Sequence, residues 1–191
     1  MPAAPLEYST LVGALRRLLD VATDARGLDA PTLARATGAL ERATADLEAA
    51  RADLDTGTRR PEYDGQRAPM PEWEYEQRDD AFVARATFSV AHEGPPGTVH
   101  GGYVAFAFDE VLGWATARAG YPAMTGRLTV RYRRPTPLGV PIEVTVPWPR
   151  VTGKRIRMHA TLDAGGEVTA EAEGLFVRFE LSDGSSRAQE G

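Results

Sequence analysis

A chain of 191 residues with 42% hydrophobic content has room for one domain of ordinary size and an appendage. Its net charge of −5 and the absence of any basic cluster longer than the pairs Arg59-Arg60 and Arg133-Arg134 exclude a nucleic-acid binder. Without cysteine there is no disulfide or thiolate metal site, and His92, His100 and His159 lack ligand spacing. No apolar run approaches a membrane span and no basic-then-apolar leader opens the chain, so a cytoplasmic protein without membrane attachment is expected.

Residues 1–8 read as a frayed end. Ser9 or Thr10 is a candidate cap for a first helix with apolar positions Leu11, Leu15, Leu18, Leu19 and Ala22, closed by Gly27. Asp29 caps a second helix, along which Leu33, Leu40, Leu47 and Leu54 recur every seven residues with Ala36, Ala43 and Ala50 between them. Such a seam suits close helix packing, and residues 1–55 are expected to form a helical hairpin that packs or stabilises a dimer. Residues 56–70 read as a linker, broken by Gly57, Pro61, Gly65 and Pro69.

From Trp73 the period becomes two. Phe82, Ala84, Ala86 and Phe88 alternate with Val83, Arg85 and Thr87, which predicts a strand. A loop stiffened by Pro95 and Pro96 then delivers His100-Gly101-Gly102 to the first turn of a helix ending near Gly120-Tyr121-Pro122. Four further strands are predicted. They are Thr125 to Arg133, Val140 to Val151 interrupted by Pro147 and Pro149, Lys154 to Leu162, and Glu167 to Glu180; a loose tail follows from Ser182. Over residues 71–181, one helix followed by consecutive strands argues for an α+β fold in which an antiparallel sheet carries the helix on one face.

That helix holds the candidate site. Asp109 lies eight residues after Gly101 among Phe106, Ala107, Phe108, Val111 and Leu112, where burying an unpaired carboxylate is costly. At about 1.5 Å and 100° per residue, Asp109 shares a narrow face with Gly102, Ala105, Gly113 and Thr116, while Val104, Phe108, Val111 and Ala115 face the sheet. Glu110 points elsewhere and reads as solvated. The free N–H groups at the helix start suit an oxyanion, and glycines let a ligand approach. Asp109 is nonetheless roughly 12 Å along the axis from Gly101, too far for one carbonyl to touch both. Either the two features are unrelated or a second copy brings its Asp109 to the first copy's glycines. The second reading is adopted here; it implies a homodimer with shared sites, with pairing of dimers into a tetramer left open.

His100-Gly101-Gly102, Asp109 nine residues after the histidine, Thr125, and T-V-R-Y-R-R-P-T-P-L-G from Thr129 together resemble the hot-dog-fold acyl-CoA thioesterases. The nearest branch is that of the phenylacetate-pathway thioesterase and the mammalian thioesterase-superfamily members, and the resemblance runs from about Phe82 to Phe179. It implies a sheet wrapped around a central helix and hydrolysis of an acyl-CoA, with coenzyme A present only as part of the substrate and no separate cofactor or metal. In that family the roles would fall on Gly101, whose N–H polarises the thioester carbonyl, on Asp109, which activates water or attacks directly, and on Thr125, which helps place the water. His100 would fix the loop or contact the thioester region, and Gly102 would line the approach.

Arg133, Arg134, Lys154 and Arg155, at strand ends, are candidates for the phosphates of coenzyme A, a solvated surface being the equal alternative. Tyr103, Phe106, Trp114 and Trp148 are candidates for an acyl pocket. One departure from the family stands out. Many relatives carry Asn or Gln six residues before the histidine, where this chain has Gly94, so that helper is missing or replaced by His92. The competing readings are a non-catalytic hot-dog dimer that binds acyl-CoA or simply assembles and, more remotely, hydratase or dehydratase chemistry. No G-x-S-x-G elbow, G-x-G-x-x-G or Walker loop is present, which removes serine hydrolases and nucleotide-fold enzymes.

Overall fold

The computed structural model describes residues 6–52 and 69–178, in two compact units, Met1–Ala68 and Pro69–Gly191. In the first unit, α1 (Leu6–Thr23) and α2 (Ala30–Ala52) are joined through a short 3-10 turn at Ala25–Gly27. Because α1 is already helical from Leu6, Ser9 and Thr10 lie inside it and do not cap it. Asp29 does cap α2, its Oδ1 accepting the Thr32 N–H at 2.7 Å. The spaced leucines lie on these helices, but Leu11, Leu15, Leu19, Leu33, Leu40 and Leu47 all stay between 36% and 51% exposed. Leu54, linker residues 56–68 and the tail from Ser182 lie outside the described residues.

The second unit contains β1 (Glu74–Gln77), β2 (Ala81–Thr87), α3 (Gly101–Arg118), β3 (Ala123–Tyr132), β4 (Pro141–Pro147), β5 (Arg150–Thr152), β6 (Arg155–Ala164) and β7 (Glu167–Arg178). The sheet runs β1-β2-β4-β6-β7-β3, with β5 added against β6, and every pairing is antiparallel. The segment predicted as one strand from Val140 to Val151 is two, divided at Trp148-Pro149, where proline cannot donate to a ladder. Met70, assigned from sequence to the linker, is fully buried in this unit's core.

Turn chemistry fixes the hairpins. Gly165 and Gly166 have φ of 66° and 87°, the positive pair that a two-residue turn between β6 and β7 requires. Alternation then sorts the faces. Along β6, Ile156, Met158, Ala160 and Leu162 are buried, while Arg157 and His159 are exposed. On β2, Phe82, Val83 and Ala84 are all buried, as befits an interior strand covered on both faces.

Helix α3 lies against one face of the sheet, in contact with β3, β4, β6 and β7. Val104, Phe108, Val111 and Ala115 are buried there, as the spacing predicts, and so is Leu112; each large apolar side chain contributes about 1.5–3 kcal/mol. Both ends of the helix are sealed. His100 caps the start, with its Nδ1 accepting the Gly102 N–H at 3.0 Å. At the other end, Tyr121 N–H reaches Thr116 O and Gly120 N–H reaches Ala117 O, with Gly120 at φ 83°, a Schellman closure.

Candidate active site

Asp109 projects from the middle of α3 toward β3, an edge strand of the sheet among the described residues. There Thr125 Oγ1 donates a hydrogen bond to Asp109 Oδ1 at 2.7 Å. Strict alternation along β3 would turn Thr125 outward with Arg127, Thr129 and Arg131. A bulge prevents this: Thr125 stands opposite Phe176, Arg127 opposite Leu175, and Gly126 is the extra residue between them. A Cβ on Gly126 would sit 3.3 Å from both Leu175 O and Val177 Cγ2, so glycine suits this close approach to β7. Sequence periodicity missed the bulge, although a glycine inside a strand is its usual sign.

The other end of the site is the start of α3. The peptide joining His100 to Gly101 is held by its carbonyl, which accepts the Tyr103 and Val104 N–H groups at 2.9 and 3.3 Å. That leaves the Gly101 N–H pointing away from the helix, without an acceptor among the described residues. The Gly102 N–H, by contrast, is already taken by the His100 ring. A Cβ at Gly102 would stand 3.0 Å from His100 Nδ1, so this glycine makes room for the cap and not primarily for a ligand. His100 therefore acts on the loop, with its Nδ1 committed as an acceptor.

Tyr132, which has no assigned role in the T-V-R-Y motif or its strand, completes this end. Its hydroxyl donates to Gly101 O at 2.7 Å, and its ring lies 3.4 Å from where a Gly101 Cβ would be. One strand thus touches α3 twice, through Thr125 at Asp109 and through Tyr132 at Gly101.

The position of the family's amide helper is closed. A Cβ at Gly94 would fall 2.7 Å from His100 Cα, so no side chain fits without moving that backbone. His92 does not replace it. The ring is 5% exposed, with Nδ1 accepting the Ser89 N–H at 3.1 Å and Nε2 lying 3.0 Å from Pro69 O. It serves to clasp two loop segments and stacks edge-on against Phe88 and Tyr103.

Glu110, read from sequence as solvated, is 7% exposed. Its helix face is the one whose next turn, at Trp114, packs edge-on against Trp73 and Tyr75. Asp109, the carboxylate expected among apolar groups, is the half-buried one. Tyr103, Phe106, Trp114 and Trp148 pack against the core.

The four basic candidates divide into two pairs. Arg133 bonds Glu171 at 2.8 Å, which raises its own pKa and holds the Glu171 carboxyl below its usual range, and Arg134 pairs with Glu167. Both follow Tyr132, beside the start of α3. Lys154 and Arg155 lie across the sheet at the opposite end of β3, since Arg155 is level with Val177 and Val177 with Met124. A single chain does not gather all four.

Residues 96–171 match the family model described as the thioesterase superfamily. A crystal structure of a thioesterase superfamily protein aligns over 93% of this chain and 97% of its own, at 29% identity and a TM-score of 0.77. A hypothetical thioesterase from Streptococcus pneumoniae, solved with coenzyme A, shares the fold over 56% of this chain and 88% of its own, at 18% identity and a TM-score of 0.52. Mouse acyl-coenzyme A thioesterase THEM4 is 31% identical over 90 residues, 46% of this chain and 39% of the mouse protein. The Xenopus laevis counterpart is 30% identical over 89 residues, 40% of its length, so the chain spans about two fifths of these curated relatives.

Proposed function

We propose, from the match of residues 96–171 to the thioesterase superfamily model, that this chain hydrolyses an acyl-CoA thioester to a free acid and coenzyme A. The observation that carries the reading is that Asp109, paired with Thr125 of β3, stands on the helix that presents the Gly101 N–H without an acceptor among the described residues. The Gly101 N–H, with the helix dipole behind it, donates a hydrogen bond to the developing oxyanion; losing one such donor costs about 10²–10³ in rate. Thr125 occupies Oδ1 of Asp109, which leaves Oδ2 to take a proton from water as its oxygen attacks the thioester carbon. The carbon–sulfur bond then breaks and the proton passes to the departing thiolate. Direct attack by Asp109, through an anhydride that water later opens, uses the same groups.

The site is shared between two copies. Gly101 and Asp109 are two turns apart on one helix, and β3, which touches both, is a ten-residue strand with one edge unpaired among the described residues. Two such edges joined antiparallel about a two-fold axis lay the Thr125 end of one copy beside the Tyr132 end of the other. Arg133 and Arg134 of one copy then share an end of the joint with Lys154 and Arg155 of the other, a basic surface for coenzyme A phosphates.

The closed position at Gly94 favours a second reading, a hot-dog dimer that binds acyl-CoA without hydrolysing it. A thiol-release assay over acyl-CoAs of graded length and aromaticity separates the two. Hydrolysis predicts release from at least one of them. Binding alone predicts a raised melting temperature with acyl-CoA and no free thiol.

A further inference from the structure

Gly101 has no Cβ, so nothing intrinsic fixes the direction of its N–H. The surrounding contacts do so instead. On its N-terminal side the His100 carbonyl is held by Tyr103 and Val104 N–H, and the His100 N–H donates to His92 O at 2.8 Å. On its C-terminal side the Gly101–Gly102 peptide is gripped at both poles. Its oxygen accepts from Tyr132 Oη at 2.7 Å and its N–H donates to His100 Nδ1 at 3.0 Å. With hydrogen bonds on both flanking peptide planes, φ and ψ of Gly101 are restrained, and with them the direction of the Gly101 N–H. Of the groups in this clamp, the Tyr132 hydroxyl alone comes from the edge strand that also carries Thr125.

We propose that Tyr132 is the positioning residue of the oxyanion donor: its hydroxyl locks the Gly101–Gly102 peptide and ties the aim of the Gly101 N–H to the strand that holds Asp109 through Thr125. The inference rests on the reading of Gly101 as that donor. A catalytic site loses rate when its donors drift by a fraction of an ångström, because only correctly aimed dipoles stabilise the transition state. The clamp acts on developing charge, so it bears on kcat more than on substrate binding.

The test is Tyr132→Phe, which keeps the ring against Gly101 and removes the donor alone. The expected result is a kcat for thiol release lowered by about five- to tenfold, with KM for the same acyl-CoA unchanged within about twofold. A second readout does not depend on hydrolysis. In protein labelled with ¹⁵N-glycine, the Gly102 amide should exchange with deuterium faster in Tyr132→Phe than in wild type, while Gly126 and Gly174 in the sheet are unaffected. Faster Gly102 exchange in Tyr132→Phe, found together with a wild type that releases no thiol, would uphold the clamp and remove the hydrolytic reading. Unchanged Gly102 exchange, or a hydrolysing Tyr132→Phe enzyme with wild-type kcat, would overturn the proposal.

Discussion

Thr125 Oγ1 reaches Asp109 Oδ1 at 2.7 Å only because Gly126 adds one residue to β3 and turns the threonine inward. Asp109→Asn keeps the shape and the threonine contact but cannot take a proton or attack as a carboxylate. It should lower thiol release by about 10²–10³-fold with the melting temperature nearly unchanged. Thr125→Val should lower it by about tenfold, since Oδ1 loses its donor while the carboxylate stays. Steady-state kinetics beside a thermal melt checks both variants.

The bulge itself is a second target. Gly126→Val places side-chain atoms against Leu175 O and Val177, each 3.3 Å from the new Cβ. Strand β3 should then straighten and carry Thr125 toward the outer face. Activity should fall to the level of Thr125→Val or below, and adding Thr125→Val to Gly126→Val should cost little more, as two changes to one contact are not additive. Kinetics of the single and double variants decides this.

Periodicity made much of this legible. The face of α3 that carries Val104, Phe108, Val111 and Ala115 is buried as the 3.6-residue repeat dictates, and the alternation of β6 is followed from Ile156 to Leu162. The carboxylates were harder to place. Glu110 is buried on the helix face where Trp114, one turn on, packs against Trp73 and Tyr75, contacts across more than thirty residues that no local pattern announces. The inward turn of Thr125 was legible through its place in the family motif, whereas alternation alone points it the wrong way. Tyr132 carried no signal of its own, because a tyrosine in a strand is common for reasons of packing.

Restoring the family's amide should fail. Gly94→Asn brings a Cβ to 2.7 Å from His100 Cα and 3.1 Å from His100 N, both backbone atoms that the α3 cap holds in place. The variant should melt lower than wild type and hydrolyse more slowly. A thermal melt and an activity assay on the same preparation check this; a faster, equally stable enzyme would contradict it.

Acid should weaken the second unit through Glu76. Hydrogen bonds first from Arg78 and then from Arg85 hold its carboxyl at about 2, below the ordinary 4.5. A carboxyl depressed on folding stabilises the native state above its unfolded pKa, and that contribution fades as pH falls from about 4.5 toward 2. The pair is solvent-exposed, so the effect is modest and shrinks with added salt. Denaturant melts of Glu76→Gln should depend less on pH across this window than those of wild type.

The shared site is tested most directly by complementation between two inactive variants. Asp109→Asn lacks the acid. Gly101→Pro lacks the oxyanion donor, yet proline suits the first helical position, and His100 at ψ 132° tolerates a following proline. Co-expressed with different tags and purified through both, the mixed dimers hold one doubly defective site and one intact site. If one copy's carboxylate works with its neighbour's Gly101 N–H, they should recover about half of the wild-type rate per dimer. Mixed dimers as inactive as either parent would contradict the account.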